Sequence, residues 1–291
     1  MQIWDIAAGV VLCEAAGLEV RALDAAGAAP AGLLSSAELL AIAEQAARAA
    51  GDLLRERFEA GGERATASKS TPTDLVSEAD LAAERAIRDI ITSARPGDAI
   101  LGEEGGETQE GSGLRWIVDP LDGTVNFLFG VPQWCVSVAV HDDAGGIAGV
   151  VLDPIRDEIF IGSRDGGLPT LNGAEVRGSQ QSELPTALIG TGFAYDAGVR
   201  ELQAAAVARL LPQVRDVRRM GSAALDLAWT AAGRFDAFYE RGVQLWDTAA
   251  GTVLCEAAGL QVRPLEAAGP APAGLVVAPA GLLEALTVIV T

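Results

Sequence analysis

Histidine and lysine are almost missing from this 291-residue chain: each occurs once, as His141 and Lys69. A multi-histidine zinc site is therefore excluded, and a Ser-His-Asp triad would have to pass through His141. A phosphate-binding loop of the G-x-x-x-x-G-K-[ST] type needs its lysine after a glycine, whereas Lys69 stands between two serines. Cysteine is scarce as well. Cys13, Cys135 and Cys255 make an odd set, which suggests a reducing compartment rather than a disulfide framework. Basic residues are few, 21 Lys+Arg against 40 Asp+Glu, for a formal charge of -19. Such a chain repels nucleic acid and anionic lipid, and we expect neither nucleic acid nor membrane as a partner. No apolar run reaches the ~18 residues of a membrane span, and the amino terminus, with Asp5 and no basic stretch, does not read as a signal peptide. A cytoplasmic location is expected. Carboxylate chemistry with hard metal ions is what these absences leave open.

What is present begins with 49% apolar residues, enough for a substantial core in one large domain or two small ones. An internal repeat follows. Gln2 to Leu33 aligns without a gap onto Gln244 to Leu275 and differs at 7 of 32 positions. Two distant copies cannot stack as a solenoid, so we divide the chain into an extension, 1–34, that duplicates the 243–276 element, and a domain, 35–291. The extension reads first as a remnant of duplication, next as an ordered segment docked on the domain or a partner, and last as an element that exchanges with its carboxy-terminal copy.

Within 35–291, Ser35 and Glu38 have capping-box spacing, and apolar residues recur helically from Leu39 to Phe58. Ser77 with Asp80 opens a second helix through about Ile91. A short run, Ala99 to Leu101, precedes the acidic loop GEEGGETQEGSG, and Leu114 to Val118 reads as a buried strand ending at Asp119. Cys135 to His141, Ile147 to Leu152 and Glu158 to Ser163 alternate between turn signals and predict antiparallel strands. Strands are then expected at Ala187 to Thr191 and Asp236 to Tyr239, with helices at Glu201 to Leu211 and Ser222 to Ala232. A helix over Asp247 to Ala258, strands near Leu260 to Val262 and Leu275 to Val277, and a helix from Ala280 complete the chain. Helices interleaved with partly antiparallel strands favour a layered α/β fold.

The stretch Trp116-Ile117-Val118-Asp119-Pro120-Leu121-Asp122-Gly123-Thr124 carries the chemistry. A buried strand delivers Asp119 to its carboxyl end, where ligand sites of α/β sheets lie. Pro120 should turn the chain sharply and bring Asp122 beside Asp119 with the Leu121 carbonyl between them, three oxygens within reach of one or two Mg²⁺ ions. Gly123 permits close backbone approach, and the Gly123 and Thr124 amides could hold a phosphate if a helix or turn starts there. An Asp-rich turn would look similar in isolation. Glu103 and Glu104 point to opposite sides of an extended segment, so one would bind metal and the other would support it. Asp80 and Asp247 could each simply cap a helix.

Taken in order, Asp80, Gly102-Glu103-Glu104, Asp119 to Thr124 and Trp246-Asp247-Thr248-Ala249-Ala250-Gly251 resemble the signature of the inositol monophosphatase family of lithium-sensitive, Mg²⁺-dependent phosphatases. Lys69 to Asp80 and Tyr239-Glu240-Arg241-Gly242 are similar to it too, and the resemblance runs from about residue 36 to the end. It implies an αβαβα sandwich of the sugar-phosphatase type and hydrolysis of a phosphomonoester with two or three Mg²⁺ per site. By that resemblance Glu103, Asp119 and the Leu121 carbonyl hold one Mg²⁺, and Asp119, Asp122 and Asp247 the second. Thr124, hydrogen-bonded to Asp80, and Glu103 would orient the attacking water, a mechanism that needs no histidine. Glu240 would accept hydrogen bonds from polyol hydroxyls, Ser222 and Ala223 would approach the ring, and Asp122, Gly123 and Thr124 would complete the substrate contacts. Glu104 and Lys69 would act from behind the metal ligands. myo-Inositol 1-phosphate is the expected substrate, with histidinol phosphate and fructose 1,6-bisphosphate as alternatives and a homodimer as the expected assembly. A weakly catalytic interaction protein with this fold is the reading of another class. His141 is expected at the surface, Cys135 in the core, and Trp116, Trp134 and Trp229 in packing roles.

Overall fold

The capping box forms as its spacing predicts: Ser35 Oγ accepts from Glu38 N, and the Glu38 carboxylate accepts from Ser35 N at 2.8 Å. It opens helix α1 (Ser36–Glu59), whose buried stripe is Leu39, Ala43, Ala46, Ala47, Ala50 and Leu54. The computed structural model describes residues 34–61, 67–68, 75–76, 78–108 and 111–291, and Ser35–Thr291 is one compact unit. Lys69, Ser77, Cys13 and the duplicated segment up to residue 33 lie outside the described residues.

After α1 come β1 (Ala67–Ser68), β2 (Leu75–Val76), α2 (Glu78–Ala94), β3 (Ala99–Gly102), β4 (Gly106–Thr108), β5 (Arg115–Asp122) and a short α3 (Thr124–Leu128). Then β6 (Cys135–Asp142), β7 (Gly145–Asp153), β8 (Glu158–Ser163), β9 (Thr170–Leu171) and β10 (Ala174–Glu175) complete an eight-stranded sheet, ordered β10-β9-β8-β7-β6-β5-β3-β4. Only β3 and β5 run parallel in it, so their carboxyl ends emerge side by side. A second sheet is built from β11 (Leu188–Thr191), β12 (Asp216–Arg218), β13 (Ala237–Arg241), β14 (Gln261–Leu265) and β15 (Gly274–Ala278), ordered β12-β11-β13-β15-β14. Helices α4 (Ala197–Leu210), α5 (Ala223–Ala231), α6 (Leu245–Ala257) and α7 (Ala280–Val290) accompany it.

The layers follow from which faces are apolar. α1 packs on α2 and on β6 and β7, close enough that a Cβ on Gly51 would stand 2.6 Å from Leu152. The other face of that sheet shares a core with α5, α6 and the inner face of the second sheet, through Ile117, Val151, Leu227, Leu254, Phe238 and Val277. Ile189, Tyr239 and Val276 face outward into a third layer with Leu210, Leu282 and Leu286 of α4 and α7. The result is helix, sheet, helix, sheet, helix, the expected αβαβα sandwich. β5 is buried on both faces, as a central strand requires, which is why it reads as a continuous apolar run. Cys135, Trp116 and Trp134 are fully buried as expected, and Trp229 packs under the guanidinium groups of Arg156 and Arg234 at 5.1 and 5.2 Å from its centroid.

Several expectations need correction. The chain does not turn at Pro120: β5 continues to Asp122, and the register against β6 slips between Asp119 and Asp122. Asp119 pairs with Ser137 and Asp122 with Cys135, so β5 carries one extra residue, a bulge that suits a proline without a donor. Part of the acidic loop forms β4, because it pairs with β3. α4 starts at Ala197, four residues early, since the Asp196 side chain caps it by accepting from Val199 N. His141 is half-buried rather than at the surface; burial and the nearby Arg115 and Arg164 hold its pKa below the usual histidine range.

Candidate active site

Alternation along a strand would send positions 119 and 122 to opposite faces. The bulge inserts one residue and restores them to the same side, so Asp119 and Asp122 open into one cavity of about 320 Å³. The turn that leaves the strand sits at Gly123, with φ 103°, where a Cβ would lie 3.0 Å from the Gln133 carbonyl oxygen. Glycine is required there on both counts. Thr124 then begins α3, which Phe58, Phe127 and Trp134 clamp with ring centroids 5.1 to 5.5 Å apart.

Glu103 enters from the end of β3, its amide donating to the Val118 carbonyl of β5 at 3.3 Å. The Glu103–Gly105 turn is held from below by Glu84, which accepts from Glu104 N at 2.7 Å and Gly105 N at 2.8 Å while pairing with Arg88. Asp247 arrives as the third residue of α6, and its carboxylate accepts from Gln244 N at 2.6 Å, so it caps the helix and lines the cavity together. Asp122 is fixed from the opposite side, accepting from Ser222 Oγ at 2.7 Å and Ala224 N at 2.6 Å. The Thr124 hydroxyl lies 3.1 Å from both Asp80 Oδ1 and the Leu121 carbonyl and can donate its proton to one at a time.

Desolvation and mutual repulsion dominate the electrostatics. Burial, then Glu103, Asp122 and Asp247, push the Asp119 carboxyl far above the usual range, and Asp119 and Glu103 hydrogen-bond to each other. Two carboxyl groups in that contact share a proton unless a cation stands between them. Burial raises Asp122 to about 6 against the lowering influence of its Ser222 and Ala224 hydrogen bonds, and raises Asp247 with help from Asp122. Among the described residues no three of these groups stand at closed metal-binding distances. The donor set still fits a hard divalent cation, because one oxygen of Asp119, Asp122 and Asp247 is each pinned by a backbone amide and the cluster holds uncompensated negative charge.

Of the residues expected from sequence, Glu103, Asp119, Leu121, Asp122, Gly123, Thr124, Ser222, Ala223, Glu240 and Asp247 all line this cavity. Asp80 is buried beneath Thr124 rather than on the wall. Glu104 is not on the wall either, and Lys69 is outside the described residues. Glu240, near the end of β13, is raised to about 8 by burial and by Asp122, with Arg219 opposing. A Cβ on Gly192 would collide with its carboxyl.

Two lining residues escaped the sequence reading. Asp226, 1% exposed in the first turn of α5, is pushed well above the usual carboxyl range by burial and by Glu240. Arg219, over the Phe193 ring at 5.8 Å, is the one cation among the lining residues. Asp226 is a single acid in the first turn of a helix and Arg219 follows another arginine, so neither stands in a pattern that carries a separate signal.

Comparison with known proteins places this geometry. The profile of the inositol monophosphatase family matches residues 35–288. The chain is similar to an inositol-1-monophosphatase of Mycobacterium leprae, 46% identical over 237 residues that cover 78% of this chain and 81% of that one. It is also similar to the Nus factor SuhB of Pseudomonas aeruginosa, 42% identical over 76% of this chain and 83% of the relative. Among solved structures, the extragenic suppressor protein suhB of Bartonella henselae superposes with a TM-score of 0.80 at 33% identity, covering 87% of this chain and 98% of the other.

Proposed function

We propose, from the premise that this chain belongs to the inositol monophosphatase family and is a phosphoric monoester hydrolase, that it converts myo-inositol 1-phosphate to myo-inositol and phosphate with Mg²⁺. The observation that carries the reading is one cavity with Glu103, Asp119, Asp122 and Asp247 on one side, Thr124 over Asp80 beside them, and Glu240 on the polyol side. The family is metal-dependent, and two or three Mg²⁺ held by Glu103, Asp119, the Leu121 carbonyl, Asp122 and Asp247 would acidify water and neutralise the phosphoryl oxygens.

The chain's own groups do the rest. With its proton given to Asp80, the Thr124 hydroxyl offers lone pairs to one proton of the attacking water, and Glu103 accepts the other. The amides of Gly123 and Thr124 orient the phosphate as the chain turns into α3. Glu240 accepts from ring hydroxyls, Ser222 and Ala223 border the ring, and Ser222 keeps Asp122 oriented. Glu104 supports the Glu103 turn through the hydrogen bond its backbone N–H donates to Glu84, and Lys69 keeps the supporting role that the family resemblance gives it.

We assign catalysis to 35–291, with 1–34 as an extension, and expect a cytoplasmic homodimer. No helix among the described residues is long and apolar enough to cross a membrane. Relatives named Nus factor SuhB support a second reading, a role in an assembly with protein or RNA partners; the formal charge of -19 disfavours direct RNA contact. The test is phosphate release from myo-inositol 1-phosphate, histidinol phosphate and fructose 1,6-bisphosphate with and without Mg²⁺, then with added Li⁺. Mg²⁺-dependent, Li⁺-inhibited release fastest from the inositol ester is expected. Faster turnover of another ester reassigns the substrate, and no release despite bound metal favours the assembly role.

A further inference from the structure

A second cavity, of about 130 Å³, lies behind the polyol wall, between β11 and β13 on one side and α4 and α7 on the other. It shares Gly192 and Glu240 with the catalytic cavity. Strand alternation explains the arrangement: Phe238 packs into the middle layer and Tyr239 into the outer one, so the Tyr239 and Arg241 side chains reach the back.

The chemistry of the back cavity is opposite to that of the front. Its charged side chains besides Glu240 are Arg209 and Arg241. Arg209 donates through Nε to the Ile289 carbonyl, and Arg241 donates through Nη1 to the carbonyls of Glu266 and Pro272. No ion pair among the described residues joins a carboxylate to either one, the chain-terminal residue Thr291 included, although it also lines the cavity. Burial alone pulls Arg241 below the usual arginine range, as for a cation taken from water without a counter-charge. Tyr239, 4% exposed, has a hydroxyl with no well-aligned hydrogen-bond partner among the described residues, Thr191 being the first neighbour acting on it, followed by the Arg209 charge. A poorly bonded buried hydroxyl beside a half-buried Arg241 and a solvent-exposed Arg209, neither paired with a carboxylate among the described residues, leaves donors that an anion can use.

We propose that this cavity binds a small tetrahedral oxyanion, held by Arg209, Arg241 and the Tyr239 hydroxyl, at a site separate from the catalytic one. The volume equals about four water molecules, the room a phosphate-sized ion needs. Gln203 frames the site: its Oε1 accepts from Ala194 N at 2.9 Å and its Nε2 donates to the Arg241 carbonyl at 2.9 Å, tying the segment after β11 to β13.

The test is calorimetric titration of inorganic phosphate into the full chain with a chelator present, which leaves the catalytic carboxylates without cations and therefore repulsive to phosphate. One site per chain is expected. Arg209→Gln and Arg241→Gln should each weaken it by about tenfold or more, and sulfate should compete where chloride does not. Tyr239→Phe should weaken binding several-fold yet leave the melting temperature equal or higher, because it deletes an unsatisfied buried hydroxyl. That pair of outcomes separates ligand binding from misfolding. Absence of binding overturns the proposal. So does binding that survives the Arg209 and Arg241 changes but is lost in Arg219→Gln, which would place the anion in the catalytic cavity.

Discussion

Replacing Glu240 by glutamine tests the electrostatics of the site most directly, since it removes one charge and little volume. The folded-state pKa of Glu240 is about 8 against an ordinary 4.5. Between those values the folded chain keeps a proton that the unfolded chain has released, so stability falls as pH rises, by up to ~1.4 kcal/mol per pH unit from this group. Full stability from this group is present below pH 4.5 and is lost as pH passes about 8. The whole interval has a ceiling of about 5 kcal/mol. Glu240 is half-buried, so solvent screening reduces the expectation to about 1–3 kcal/mol. Glu240→Gln should therefore stabilise the chelated protein by that amount at pH 8.5 and by almost nothing at pH 4.5. Urea unfolding of both proteins across that pH range measures the difference. A gap independent of pH, or a glutamine variant less stable at pH 8.5, would refute the argument. The same variant should lower kcat/KM for myo-inositol 1-phosphate up to about tenfold while leaving an aryl phosphate nearly unaffected, one lost hydrogen bond being worth about 0.5–1.5 kcal/mol.

Three further outcomes are expected. Gly123→Ala should cost about 2 kcal/mol or more, because φ is positive and the Gln133 carbonyl oxygen stands 3.0 Å from the methyl position; differential scanning calorimetry would show a lower Tm, and an unchanged Tm would contradict the steric account. Thr124→Ala should reduce kcat about 10²-fold with a small change in KM, and a pure KM effect in steady-state kinetics would remove Thr124 from water positioning. Deleting residues 1–34 should leave kcat and KM unchanged in the phosphate-release assay; loss of activity together with a change in mass by light scattering would instead assign that segment to an exchanged or docked role.

Much of the site was legible because its groups lie in short local patterns. The capping box at Ser35, the start of the apolar run into Asp119 and the alternating strands Cys135 to Ser163 depend on neighbours within a few residues, and the structure forms them within one or two positions. Boundaries failed where pairing or a side chain from elsewhere decided them. β4 exists because β3 offers an edge, and β5 outruns Asp119 because β6 continues to pair with it through the bulge.

Sequence alone therefore determined the layered α/β class, because apolar periodicity specifies which faces must be buried, and it pointed to the reaction class through the resemblance of its four carboxylate motifs to a known phosphatase family. Only the tertiary structure decided that Asp119 and Asp122 share a face, since the bulge that reverses the alternation arises from pairing with Ser137 and Cys135. It alone set Glu240, Asp226 and Arg219 against Asp122, and it forms the Thr124–Asp80 contact that the family resemblance led us to expect, across 44 positions. The physical reason is the same in each case: which charges meet, and how far they leave water, is fixed by packing between layers, which no local pattern encodes.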